Sequence, residues 1–257
     1  MKLIASTLFV TLGIVSATWG QKASPSASAA TTTTTTTTAA TSPAAPTSSA
    51  ANTDLYHVHF AKSATGKAAE HADSLKKQDP NAAMPGHMIV LRHLTGDAWD
   101  YCVIEHLGTK ATVEATRAAP PASQIALGDW HNDTFATGPS WTEFAKQLGL
   151  DDASKSSASA YEVSMYRPVP GQREALDKFL NEPPDKAVDT SSGSVVLQHM
   201  EGAAWTFVAI ARYSSWNDYA KNESNSVAQM NKKEGGWFKL RNLVSFHTDT
   251  VCDRIAP

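Results

Sequence analysis

The chain has 257 residues with 22 Lys and Arg against 25 Asp and Glu, a formal net charge of −3. This near-neutral balance, with no basic stripe, argues against nucleic acid or an anionic membrane as partner. The sequence also lacks a phosphate-cradling glycine loop, an HExxH helix, a G-x-S-x-G elbow and a c-type haem Cys pair, so a hydrolase, an NTPase or a zinc protease is poorly supported.

At the start, Lys2 precedes an apolar run from Leu3 to Val15 and the small residues Ser16 and Ala17. This layout predicts a secretory signal peptide over residues 1–20, cleaved after Ala17 or Gly20, because the run is shorter than the roughly 20 residues that span a bilayer. The expected location is secreted or periplasmic, with no membrane span after cleavage. Residues 21–53 are almost entirely Ala, Ser, Thr and Pro, including Thr31 to Thr38. With no aromatic residue to bury, this segment is expected to be a disordered linker, either a plain spacer or an O-glycosylated stalk.

The rest of the chain repeats itself. Leu91 to Ile104 aligns without gaps on Leu197 to Ile210, matching His93 with His199, Gly96 with Gly202 and Trp99 with Trp205. Upstream, Tyr56-His-Val-His-Phe60 matches Tyr161-Glu-Val-Ser-Met165; downstream, Ser140-Trp-Thr-Glu-Phe-Ala-Lys146 matches Ser215-Trp-Asn-Asp-Tyr-Ala-Lys221. Three matched blocks in one order indicate an internal duplication.

In each copy the period-two segments 55–61 and 160–166 predict a strand. A turn at Gly66 or Pro170-Gly171 then leads to a helix ending near Lys77 or Leu180. Hairpins follow at 87–94 with 99–107, and at 194–200 with 205–213. Trp141, Phe144, Ala145 and Leu148 fall on one helical face, and Trp216, Tyr219 and Ala220 begin the same pattern. A last strand is expected at Leu243–Val251, its counterpart missing or reduced to the linker near Ser154–Ala160. The expected units are 54–153, with an inserted loop at 108–138, and 154–257.

The order β-α-β-β-α(-β) is a split βαβ plait. With the phrase Tyr161-Glu-Val-Ser-Met-Tyr-Arg-Pro-Val-Pro-Gly-Gln-Arg-Glu-Ala-Leu-Asp-Lys-Phe179, it resembles the dimeric α/β-barrel superfamily, which includes antibiotic-biosynthesis monooxygenase-like, NIPSNAP-like and EthD-like proteins. The resemblance implies an α+β fold of two tandem ferredoxin-like units packed sheet to sheet as a pseudo-dimeric α/β barrel, monomeric or further assembled into a homo-oligomer. It also implies a small-molecule ligand and a cofactor-free or metal-assisted oxygenase or isomerase. A non-enzymatic binding or interaction module and a haem-binding protein are the alternatives. Neither the cofactor nor an axial haem ligand follows from the sequence.

Strand alternation sets Val90, Arg92, Leu94, Trp99, Tyr101, Val103 and Glu105 on one face, and Ile89, Leu91, His93, Cys102 and Ile104 on the other. The first face is expected to line the barrel interior around a ligand and the second to lie beneath helices. His57 and His59, with Arg92 and Glu105, are the catalytic or metal-ligating candidates, because imidazoles and carboxylates exchange protons and bind metals near neutral pH. The competing expectation is a polar network closing the sheets, with Arg92 paired to Glu105. Tyr101, Glu162, Gln198, Trp205 and Phe207 are expected around the same ligand. His131 and Asp133, an H-x-D pair in the predicted loop, either join the site or form an ordinary turn at Asn132-Asp133. His93 and His199 are expected on the helix side. Cys102 and Cys252 either form a disulfide in the oxidising compartment or stay as two buried thiols.

Overall fold

Alternating side chains sort to the two faces of a sheet, and closing that sheet turns one face into a core. The computed structural model describes residues 54–77, 82, 84–109, 122–150 and 159–256. The predicted signal peptide and linker, residues 110–121 of the predicted loop and residues 151–158 between the units lie outside the described residues.

The elements are β1 (Asp54–Ser63), α1 (Ala68–Leu75), β2 (Met88–Thr95), β3 (Tyr101–Gly108), α2 (Ala122–Ile125), β4 (Gly128–Gly138), α3 (Trp141–Leu148), β5 (Ala160–Pro168), α4 (Arg173–Leu180), β6 (Gly193–Glu201), β7 (Phe207–Tyr213), α5 (Trp216–Asn231), α6 (Gly236–Leu243) and β8 (Val244–Ala256). Both predicted hairpins form, with Arg92 opposite Tyr101 and Gln198 opposite Phe207. The predicted loop 108–138 is not one loop: α2 and β4 lie within it. β4 pairs along its whole length with β1, and β8 pairs with β5 from Val244 to Asp253 and continues past the predicted end to Ala256. The missing counterpart of the last strand is therefore β4, not the segment near Ser154–Ala160.

All strand pairs are antiparallel, in the closed order β1-β3-β2-β8-β5-β7-β6-β4. Two joints complete the ring: β2 with β8, where His93 faces Cys252, and β4 with β6, where Ala136 faces His199. The strands meet edge to edge here as well as across the core, and closure leaves no free sheet edge.

Alternate residues of β1, β2, β3, β5, β6, β7 and β8 join one cluster that includes Tyr56, Val58, Ile89, Leu91, Ile104, Val163, Leu197 and Ile210. Side chains from strands all round a ring can meet only on its inner face, so this aliphatic face is the barrel core. Phe144 and Leu148 of α3 complete it, with Phe144 stacked on Tyr56 at 5.0 Å. α3 starts at Ser140, whose hydroxyl accepts a hydrogen bond from the Glu143 amide, and ends at Gly149, in the left-handed region at φ 64°. The outer face packs on helices in separate clusters: Met88, Val90 and Val103 against Leu75 of α1, and Tyr166, Val196 and Phe207 against Leu176 of α4 and Leu240 of α6.

This reverses the expected faces. Of the set expected inside, Val90, Arg92, Tyr101, Val103 and Glu105 lie outside and Trp99 alone joins the core, while the set with Ile89 and Leu91 fills the barrel. His93 and His199 share the inward parity of Leu91 and Leu197, near Trp99 and Trp205 at 5.7 and 5.6 Å between rings, rather than the helix side. Cys102 and Cys252 are free, buried thiols, and burial pushes both pKa values up. Among the described residues no helix is long and apolar enough to cross a membrane.

Gly202 turns the second hairpin at φ 120°, and a Cβ there would run into the Asp133 carbonyl oxygen, whereas Gly66 at φ 78° has open space around it. Gly202→Ala is expected to destabilise the fold by about 2–4 kcal/mol, through left-handed strain and overpacking, against about 1–2 kcal/mol for Gly66→Ala. Urea denaturation measures both; equal costs would contradict the packing of this turn on β4.

Candidate functional site

The antiparallel register puts His57 beside both Glu105 and Phe135, and His59 beside both Val103 and Asp133. Paired residues point to one side of a sheet, so these groups share the outer face of β3, β1 and β4. His57 Nδ1 is 2.9 Å from Glu105 Oε2, and its Nε2 is 2.8 Å from Asp133 Oδ1. His59 Nδ1 is 2.7 Å from the same Asp133 oxygen, and His131 Nε2 lies 3.2 Å from Asp133 Oδ2. The rings of His59 and His131 stack at 5.3 Å, and Phe135 lies 5.5 Å from His57.

Both partners of His57 are carboxylates, so both ring nitrogens must donate and the imidazole is a cation. Burial alone would lower its pKa, but the hydrogen bonds to Asp133 and Glu105, with their charges, outweigh it and raise the value to about 9. Hydrogen bonds from His57 and His59 hold the Asp133 carboxyl far below the usual range. The His57 side chain is 15% exposed and Asp133 40%, so the cluster opens to solvent on the Asp133 side.

One ligand atom from each of His57, His59 and Asp133 falls within 4.8 Å of the others. For metal–ligand bonds of about 2.0–2.1 Å, ligands at right angles lie about 2.8–3.0 Å apart, close to the 2.8 and 2.7 Å from His57 and His59 to Asp133 Oδ1. Two imidazoles and one carboxylate form a set that suits a divalent transition metal with open coordination positions. Glu105 would sit behind His57 and fix its tautomer.

The sequence candidates therefore divide. His57, His59, Glu105, His131 and Asp133 come together, and the H-x-D pair sits in a strand rather than a turn. Arg92 does not join them: its Nε and Nη2 donate to Asp253 on β8 at 3.0 and 2.6 Å, so it is not paired to Glu105 either. Tyr101 lies under α1, with its hydroxyl donating to the Ala68 carbonyl at 2.7 Å. Glu162, Gln198, Trp205 and Phe207 belong to the second half. Trp205 is in the barrel core, Phe207 is buried beneath α4 and α6, and Gln198 sits beside Phe207 on β6 and β7. Among the described residues an apolar cluster occupies the barrel interior, where the ligand was expected. Phe135, which the sequence reading missed, borders the site; its place two residues after Asp133 in an alternating strand was the available signal.

No family model and no curated protein matches this chain. Among solved structures, an anthrone oxidase-like protein matches with a TM-score of 0.51 at 9% identity, covering 79% of this chain and 92% of its own. A proposed monooxygenase from Lactobacillus acidophilus NCFM matches with a TM-score of 0.44 at 9% identity, over 79% and 94%. The first likeness, at 9% identity, shows a shared α+β fold.

Glu162 occupies the position in the second half that aligns with His57. Burial raises its pKa to about 7, helped by the charges of Asp249 and Glu223, although the Tyr213 hydroxyl donates to it. Between pH 4.5 and 7 the folded state holds a proton that the unfolded state has released, so this residue makes stability fall as pH rises through that window. Glu162→Gln, always neutral, is expected to match the parent near pH 4 and exceed it in stability above pH 7, as read by urea midpoints across pH. A constant difference across the range would contradict the assignment.

Proposed function

We propose that this chain is an exported small-molecule-binding protein of the dimeric α/β-barrel type that works through a divalent transition metal held by His57, His59 and Asp133. The observation that carries this reading is the meeting of two imidazoles and a carboxylate, from β1 and β4, at coordination spacing. When bound, the metal would supply Lewis acidity or redox chemistry for an oxygenase- or isomerase-type reaction. The chain's own part is to orient His57 through Glu105, to present Phe135 and His131 beside the open side, and to place a ligand there. The oxygenase class draws on the barrel type and on the anthrone oxidase-like description of the neighbour. Export rests on the pattern from Lys2 to Ala17 alone.

The same reading takes the two halves as tandem ferredoxin-like units. The ring runs β4-β1-β3-β2 and then β8-β5-β7-β6, the same order twice, and Gly96 packs on Asp249 and Thr250 as Gly202 packs on Asp133 and Thr134. Only the first unit carries His57 and His59, whose aligned positions in the second are Glu162 and Ser164, whereas His131 and Asp133 have counterparts in His247 and Asp249. The filled, largely apolar barrel favours a second reading, a non-enzymatic binding module that would hold metal or ligand without turnover.

Calorimetric titration of the EDTA-treated protein with Co2+ or Zn2+ at neutral pH tests the site. One ion is expected to bind, Asp133→Ala and His59→Ala to weaken it by about 100-fold or more, and Glu105→Gln by about 10–100-fold. Affinity should fall as pH is lowered, because the ligands must release protons to bind metal. Absence of binding, or parental affinity in Asp133→Ala, would overturn the assignment.

A further inference from the structure

A second cluster of titratable groups lies on the opposite side of β1 and β3 from the metal-type site. Tyr56 and His106 are paired and point inward, toward the end of the barrel where α3 packs. Asp54 Oδ2 accepts from His106 Nε2 at 2.9 Å and from the Trp141 backbone N–H at the start of α3 at 3.1 Å. His106 Nδ1 lies 3.0 Å from His87 Nδ1. His87 stacks on the Trp141 indole at 4.5 Å with planes 9° apart, and His106 stacks on the same ring at 5.5 Å.

One carboxylate sets every proton in this chain. Asp54 can only accept, so His106 Nε2 carries the hydrogen. Burial lowers the His106 pKa, so its other nitrogen is a bare acceptor, and His87 Nδ1 must donate to it. Burial also lowers the pKa of His87, which leaves Nε2 with a free lone pair. Among the described residues that atom has no hydrogen-bond partner, nor is it a sealed, unpartnered buried atom.

We propose that His87 is the general base of a second, metal-independent site that activates water toward small esters, with His106 and Asp54 as positioning residues. An imidazole held in one tautomer by a second group, itself oriented by a carboxylate, is the arrangement general-base catalysis needs. The water O–H proton passes to His87 Nε2 as the oxygen attacks the carbonyl carbon. The ester C–O bond then breaks, and the same proton leaves on the alcohol, giving acid and alcohol with no other reactant.

The repeat shows that the fold does not require this chain of groups. At the positions aligned with Asp54, His87 and His106, the second half has Ser159, Gly193 and Arg212, while Trp216 keeps the place of Trp141. The proposal does not rest on the metal reading.

The test uses the full chain with EDTA present and 4-nitrophenyl acetate as substrate. His87→Ala is expected to lose at least about tenfold in protein-dependent hydrolysis. Because Asp54→Asn also disturbs α3, a second measurement is made: diethyl pyrocarbonate modification followed residue by residue by mass spectrometry. His131 is the more open side chain, 63% exposed, and would react first if exposure alone decided. The relay predicts that His87 reacts faster than His131 in the parent and loses that lead in Asp54→Asn. Parental hydrolysis in His87→Ala, no lead for His87, or a lead unchanged in Asp54→Asn would each overturn the proposal.

Discussion

The backbone pairing that closes the ring is the constraint on which the rest depends. An open sheet of four strands has two edges of unpaired N–H and C=O groups. Here β2 takes β8 as its neighbour and β6 takes β4, so each run of four strands caps the edges of the other. Closure also decides the faces. Once the ring exists, the Ile89, Leu91 and Ile104 parity has nowhere to go but inward, and His57, His59 and Glu105 must stand outside.

With the faces fixed, electrostatics shapes the outer cluster. Three imidazoles around one carboxylate would repel one another if all were charged, and Asp133 is the group that offsets this, accepting from His57 and His59 through one oxygen and meeting His131 through the other. Glu105 balances the charge on His57 from the far side. Under the proposed metal reading, a divalent ion would take the place of the protons that now hold these groups at 2.7 to 2.8 Å. Across the sheet, His106 and Asp54 use the same chemistry with one proton per hydrogen bond. The chain thus places a charged cluster on the outer face of β1 and a neutral-imidazole relay on the inner one.

Much of the architecture was legible in the residues. Alternation marked β1 and β5, both hairpins were placed to within about two residues, and the repeated Trp blocks named the elements that take matching places in the ring. β4 was not legible. Its first residues, Asp129 to Asp133, are all exposed, and a strand without a buried face shows no apolar period. Missing β4 hid the partner that brings Asp133 to His57. The faces were misassigned because Arg92, Tyr101 and Glu105 were taken to mark an interior, although burial is decided by which parity is uniformly apolar on all strands at once. α6 has only Leu240 buried, too little of a stripe to announce a helix. The Asp54, His87 and His106 relay spans three separate elements, and no spacing in the sequence points to it.

Amide hydrogen exchange with NOE contacts, followed by NMR across Gly128–Gly138, tests the central claim most directly. Slow exchange from Thr134 to Thr137, with contacts from Thr134 to Val58 and from Ala136 to His199, is the predicted result. Fast exchange through this segment, with no contact to either strand, would mean that the ring is open and that Asp133 does not meet the histidines.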